Sequence, residues 1–260
     1  MPKDDLNFVL AIAGHDPSGA GIHADIETCA ALSCGVFTVI TALTVQNTAE
    51  VRAIHPTEPD VLAEQLRCIN DDSRDIHACK IGLVPNRAIL AVIVEFLQTE
   101  LSEVPVVFDP VLKAGVGTRL ADIDLAEAAR EALLPLTTVC TPNQAEALML
   151  SGAEDYQNAG MRLNRSGCPH VLITGTDHDD NVEVMHRLFE DEQLAETYTC
   201  RRLPGHFHGS GCTLSSAIAA ELACGNGLRA AIEAAQAFTW VALDASTESG
   251  HQQRLPRRVR

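Results

Sequence analysis

The sequence predicts an α/β protein: a largely parallel central sheet with helices on both faces and a small β-hairpin at one edge. Two observations carry this. Short β-branched runs alternate with stretches of helical apolar spacing from about residue 7 to 245, and such alternation builds right-handed βαβ units. Of the 260 residues, 46% are hydrophobic, enough to cover a parallel sheet on both sides.

Each element follows from its local pattern. "NFVLAIAG" is a short apolar run closed by glycine, which marks a buried strand. "AGIHADIETCAALSCG" has helical spacing and a glycine stop. "VFTVITALTVQ" is β-branched and extended, and "EPDVLAEQLRCINDD" is a helix. "IHACKIGL" (strand), "NRAILAVIVEFLQ" (helix) and "VPVVFDPV" (strand) continue the alternation. "DIDLAEAAREALLP", "TTVCTP" and "NQAEALMLSG" read as helix, strand and helix. A helix over about 156–166 leads to the strand "PHVLITG". Weaker strands near 182–190 and 195–202 form the hairpin, and helices over about 211–224 and 226–245 close the fold. With no repeat, low-complexity run or long linker, the expectation is one domain over 1–260, with its core at about 7–245.

Composition excludes several classes. A net charge of −16 repels phosphate backbones, so no nucleic-acid partner is expected. The terminal "RLPRRVR" carries four arginines in seven residues; a frayed, solvated basic tail over about 251–260 is expected. "MPKDDLNFVLAIAG" places acidic residues where a signal peptide is basic. No apolar run reaches the roughly 18 residues that cross a bilayer. The expectation is therefore a cytoplasmic protein with no membrane partner. Nine scattered cysteines form no C-x-x-C pair, so most are core fillers. Only His206, His208 and Cys212 approach zinc spacing, and three or four converging ligands are needed.

In open α/β sheets, ligands bind beyond the carboxyl ends of the strands. That rule selects "GHDPSGAG", "QNT", "KIGL", "DPVLKAGVG", "TPNQAE" and "TGTD". Asp109, Asn143 and Glu146 stand at successive strand ends there, which points to a functional cleft. Near the end of the chain, "HGSGCTLSSAIAA" puts Gly209, Ser210, Gly211 and Cys212 at a helix start. Backbone N–H groups at such a joint converge on an anion, and the same field lowers a thiol pKa. A close-packing glycine turn with Cys212 as filler accounts for the pattern equally well. No G-K-[ST] follows, so this is not a Walker A loop.

Six stretches in order, "AGHDPSGAGIHADIET", "VITALTVQNT", "KIGL", "DPVLKAG", "TPNQAEA" and "HGSGCTLSSAIAA", resemble the motifs of the hydroxymethylpyrimidine kinase/phosphomethylpyrimidine kinase family, in the ribokinase-like superfamily. The resemblance covers about residues 7–245. It implies a ribokinase-like fold and two ATP-dependent steps in thiamine diphosphate biosynthesis. The hydroxymethyl group of a pyrimidine is phosphorylated, then the resulting monophosphate. It also implies ATP as co-substrate, Mg²⁺, and a homodimer.

By the same resemblance, Gln46 pairs with the pyrimidine edge, where an amide that donates and accepts suits a ring nitrogen beside an amino group. Asp25, Gly14 and Leu83 lie at the substrate; a helix-surface or dipole role fits Asp25 nearly as well. Asn143, Thr174 and Lys113 fall to the nucleotide phosphates. Asp109 and Glu146 fall to the metal, through water where needed. As a plain structural alternative, Asn143 and Glu146 cap the helix after Pro142. Gly209, Ser210 and Gly211 match the anion hole, and Cys212 the reactive cysteine. The chain departs from the family pattern in three places. Its first loop has one glycine fewer, with His23 in place of glutamine. Thr174 stands where a lysine is common. The lysine after "DPV" is shifted, leaving Lys113 nearest. Cationic help for phosphates is thus expected to be thin, and Lys80 either points into the site or covers it. The alternatives are a pyridoxal/pyridoxine kinase, a non-catalytic ligand-binding relative, and a cysteine redox sensor.

Overall fold

The computed structural model describes residues 6–72, 75–112, 123–175, 182–248 and 253–259. Strands β1 (Phe8–His15), β2 (Gly35–Gln46), β3 (Val51–Pro56), β4 (Ile76–Ile81), β5 (Val106–Phe108), β6 (Val139–Cys140), β7 (His170–Ile173), β8 (Glu183–Glu190) and β9 (Gln193–Arg201) form one sheet. Its order is β3-β2-β1-β4-β5-β6-β7-β8-β9. The strands from β2 to β7 pair in parallel, while β3, β8 and β9 run antiparallel to their neighbours.

Side chains alternate across the pleat, so each strand feeds two cores. On β1, Leu10 and Ile12 face α2 (Pro59–Asp71), α3 (Arg87–Glu100), α4 (Ile123–Ala132), α5 (Gln144–Ser151) and α6 (Tyr156–Arg165). Val9 faces α1 (Ile22–Ala31), α7 (Ser210–Ala223) and α8 (Leu228–Asp244). Helix α7 presents buried Ser215, Ser216, Ala219 and Ala220. These small side chains let it lie close beneath β1, β4 and β5, so its N-terminus emerges at their carboxyl ends.

The chain leaves β1 for β2 on one side and reaches β4 on the other. The topological switch therefore falls between β1 and β4, which opens a crevice above their carboxyl ends. The expected hairpin is β8–β9, turned by Asp191 and Glu192, both at positive φ.

Two elements differ from expectation. Strand β3 has no counterpart in the sequence reading: "VRAIHP" contains proline, and most of its residues are half-buried or exposed, so neither periodicity nor composition marks it. The frayed tail is also wrong for residues 253–259. Arg254 and Leu255 (β11) pair antiparallel with Thr247 and Glu248 (β10). Arg254 N–H donates to His206 C=O at 2.8 Å, and Arg257 N–H to Ala242 C=O at 2.9 Å. Arg258 is buried. The arginines are a charge run in sequence, but the side chains of Arg254 and Arg258 dock on the Ser246 carbonyl and on Thr213, Glu27 and the Gly209 carbonyl, while Arg257 stays exposed. Among the described residues, no helix is long and apolar enough to cross a membrane.

Candidate active site

A cavity of about 510 Å³ lies along the carboxyl ends of β1, β4, β5, β6 and β7. Gly14 and Leu83 form one wall. A Cβ on Gly14 would come within 2.8 Å of Leu83 Cδ2, so the leucine tip packs there because position 14 carries no side chain. Gln46, half-buried at the end of β2, lines the same end.

The shortened first loop closes through Asp16. Its Oδ1 accepts from Ser18 N–H at 2.7 Å and Ser18 Oγ at 2.5 Å. Its Oδ2 lies 2.5 Å from His208 Nε2. Gly21 sits at φ +57°, where a Cβ would collide with Gly14 C=O at 2.1 Å. Burial raises the Asp16 pKa, but hydrogen bonds from His208 and Ser18 outweigh it and hold the carboxyl below its usual range. His208 is thus bound to a carboxylate. Among the described residues, no group of three or more metal-ligating side chains comes together.

Gly209, Ser210, Gly211 and Cys212 meet at the cavity as the first turn of α7. Gly209 adopts φ +73°, and a Cβ there would press on Ala20 and on Arg258 Nη2. The expected lowering of the Cys212 pKa is overturned. Burial pushes the thiol up to about 12, Asp109 and Asp25 push the same way, and Lys80 and the Gly21 N–H only partly oppose them. The dipole at a helix start is a partial charge, and here it loses to desolvation and two nearby carboxylates. The thiol lies close enough to Asp109 to help hold that carboxyl down.

Asp25 does not line the cavity. It is fully buried behind it, which also excludes the helix-surface role. Its Oδ1 accepts from Lys80 Nζ at 2.9 Å and from Ser216 Oγ at 2.6 Å. Lys80 is fully buried yet lines the cavity. Burial alone would lower its pKa, but Asp25, Cys212 and Asp109 hold it above the ordinary lysine range. The site therefore holds a buried cation, and cationic help is less thin than expected.

Asp109 and Glu146 both line the cavity. Asp109 accepts from Ser215 Oγ at 3.2 Å, and burial raises its pKa against the pull of Lys80. Asn143 and Glu146 form a complete capping box at α5, so the structural role and the place at the cavity coincide. Thr174, bridged to Asn143, lines the wall beside them. Lys113 lies outside the described residues.

The far end of the cavity escaped the sequence reading. Val184, His186, Arg202, Gln236, Thr239, Trp240 and Leu243 line it. Burial pushes His186 down to about 4, so it is neutral at pH 7; its Nδ1 accepts from Gly175 N–H at 3.4 Å. Arg201 stacks over Trp240 with 5.5 Å to the ring centroid. These residues come from the hairpin and α8, whose signals are ordinary strand and helix patterns. The one hint was the chain's lone tryptophan.

Sheet order, crevice and glycine-rich helix start together define a ribokinase-like α/β kinase framework. Residues 16–256 match the family model described as phosphomethylpyrimidine kinase, and the chain belongs to that family. It is 36% identical over 246 residues to the hydroxymethylpyrimidine/phosphomethylpyrimidine kinase of Rhizobium meliloti, covering 92% of this chain and 91% of that one. It is 36% identical over 250 residues to the chloroplastic thiamine biosynthetic bifunctional enzyme of Arabidopsis thaliana, covering 92% of this chain. This chain spans about half the length of the plant relatives it matches. The ADP complex of Bacillus subtilis pyridoxal kinase superposes with a TM-score of 0.88 at 28% identity, covering 97% of each chain.

Proposed function

We propose that this chain transfers the γ-phosphoryl group of ATP first to the hydroxymethyl oxygen of 4-amino-5-hydroxymethyl-2-methylpyrimidine, then to the phosphate of the monophosphate formed. One observation carries the reading. A single cavity of about 510 Å³ is lined by Gly14, Gln46 and Leu83, by the α7 helix start and Asp109, and by His186 and Trp240, room for a substrate ring and a nucleotide together. Family membership and the pyrimidine-kinase relatives support the substrate.

In the first step the acceptor oxygen forms a bond to the γ-phosphorus, and the bond from phosphorus to the β–γ bridging oxygen breaks. The hydroxyl proton has to leave. A thiol with pKa near 12 is not ionised at rest, so a free thiolate is not the base. The Cys212 thiol beside Asp109 offers the proton a path: to sulfur, while the thiol proton passes to the carboxylate. Burial raises the Asp109 carboxyl above its ordinary range, which makes it a better proton acceptor than an exposed aspartate. In the second step the acceptor phosphate is already ionised and needs little base. Backbone N–H groups of Gly209–Cys212 hold the transferring phosphoryl oxygens in both steps.

Asp109 and Glu146 would hold a magnesium ion through its waters, since the ion usually keeps several of them, and this leaves Asp109 able to take the proton. When bound, the ion neutralises phosphate charge. Lys80 adds fixed positive charge from beneath. Leu43 and Val45, exposed on β2, support a homodimer. The absence of any disulfide among the nine cysteines in the described residues supports a reducing, cytoplasmic setting.

The fold match to pyridoxal kinase favours a second reading, vitamin B6 phosphorylation. The test for both is purified protein with ATP and Mg²⁺, given the pyrimidine alcohol, its monophosphate or pyridoxal separately. Monophosphate and then diphosphate from the pyrimidine is the expected result. Pyridoxal phosphate without pyrimidine products would replace this reading, and ATP binding without any product would leave a binding protein.

A further inference from the structure

The C-terminal segment 253–259 lies against the loop that leads into α7. Gln253 lines the cavity. Arg254 N–H donates to His206 C=O at 2.8 Å, and His208 N–H donates to Arg254 C=O at 2.9 Å. The loop carrying the anion-binding residues is thus paired on both sides of His206–His208 with the end of the chain. Leu255 packs beside Gly19 of the first loop, within 3.4 Å of where a Cβ on that glycine would stand.

Arg258 extends this contact to the helix start itself. Its side chain is 2% exposed. Its Nε donates to Thr213 Oγ1 at 2.7 Å, Nη1 to Glu27 Oε2 at 2.8 Å, and Nη2 to Gly209 C=O at 3.5 Å. Thr213 Oγ1 in turn donates to the same Gly209 C=O at 2.8 Å, and Thr213 N–H reaches it at 2.9 Å. Three donors therefore converge on one carbonyl. In a trans peptide the C=O and the next N–H point in opposite directions. Fixing Gly209 C=O behind the loop turns the Ser210 N–H the other way, toward the cavity that Ser210 lines. Burying a guanidinium is costly unless its donors are matched. This one is spread over three acceptors on α1, α7 and the anion loop, a fork that a lysine ammonium cannot reproduce.

We infer that Arg258 is a positioning residue for the phosphoryl-binding turn Gly209–Cys212, and that the C-terminal segment is part of the active-site scaffold. Arg258 touches neither substrate nor reacting atoms; it sets the direction of the N–H groups that do. The inference rests on the phosphoryl-transfer reading for its kinetic consequence but not for its structural one.

The full-length chain and its Arg258→Ala and Arg258→Lys variants test it. Backbone hydrogen exchange is followed at residues 209–213, and pyrimidine-alcohol phosphorylation is measured with ATP and Mg²⁺. In Arg258→Ala, exchange at 209–213 should rise while exchange in β4, β5 and α5 stays as in the parent chain. The kcat should fall about ten- to a hundredfold, the scale of a small misplacement at a reacting centre, with the pyrimidine KM changed less than about threefold. Millimolar guanidinium should restore part of that kcat, and Arg258→Lys should recover less than the rescued alanine variant. Unchanged exchange at 209–213 would overturn the proposal. So would exchange rising through the whole sheet, with kcat and melting temperature falling together and no guanidinium rescue, because Arg258 would then be a general brace. If the parent chain phosphorylates no pyrimidine, the function reading fails and the exchange data alone judge Arg258.

Discussion

The Lys80–Asp25 pair offers the sharpest test of the buried polar layer beneath the cavity. Both side chains are fully buried and 2.9 Å apart. Asp25 Oδ1 also takes Ser216 Oγ, while Oδ2 has no hydrogen-bond partner. Lys80→Met keeps the length and apolar bulk of the stem but leaves a carboxylate buried with one hydroxyl donor. Removing one partner of a buried pair costs about 3–5 kcal/mol. The surviving Ser216 bond softens the loss, so about 3 kcal/mol, the low end of that range, is expected. At roughly 2 °C per kcal/mol for a chain of this size, that is a fall of about 6 °C in melting temperature. Asp25→Asn should cost a similar amount. The double variant should cost clearly less than the sum, because it buries no lone charge. The pair also acts in opposite directions on Cys212: Lys80 lowers the thiol pKa and Asp25 raises it. Thiolate absorbance, referenced to the matching Cys212→Ala chain, should appear at lower pH in Asp25→Asn and at higher pH in Lys80→Met. Single variants costing less than about 1 kcal/mol, the scale of an exposed pair, would refute the buried-pair reasoning. Thiol shifts of the same sign in both would refute the electrostatic part.

Gln46→Leu should weaken pyrimidine binding by about 1–3 kcal/mol, the cost of leaving a polar partner unmatched, while ATP affinity holds; calorimetry with each ligand separates the two, and equal losses would remove Gln46 from the substrate end. Cys212→Ala should slow alcohol phosphorylation at least about tenfold more than monophosphate phosphorylation, within the range of general-base catalysis. In the parent chain the alcohol kcat/KM should stay level between about pH 7 and 9, whereas a resting thiolate base would make it climb about tenfold per unit. Asp16 is depressed in the folded state, so it contributes stability above the ordinary carboxylate range that is lost as pH falls through its folded pKa. The melting-temperature gap between the parent and Asp16→Asn should therefore close as pH drops below about 4, and a gap that widens there would reverse the sign.

The sequence by itself determined the parallel sheet, its helical cover and the near half of the cavity. Strand ends and glycine turns are local features. Gly14, Gly21 and Gly209 announce positions where a Cβ has no room, and Asn143 with Glu146 spells a capping box in four residues. What it could not decide is whatever depends on distance across the fold. Glycines before a helix suggested a lowered thiol pKa at Cys212. Only the packing brings Asp25 and Asp109 close and buries the sulfur, and desolvation then outweighs the partial charge of the helix. Lys80 read equally as cover or as site residue until Asp25, 55 positions earlier, was found against it. The far end of the cavity is assembled from a hairpin and α8 that carry no motif. The terminal arginines looked like solvated charge because charge runs in sequence have no partners. For Arg254 and Arg258 the partners are Ser246 C=O, Thr213, Gly209 C=O and Glu27, the last 231 residues away, and only tertiary structure brings those groups to them.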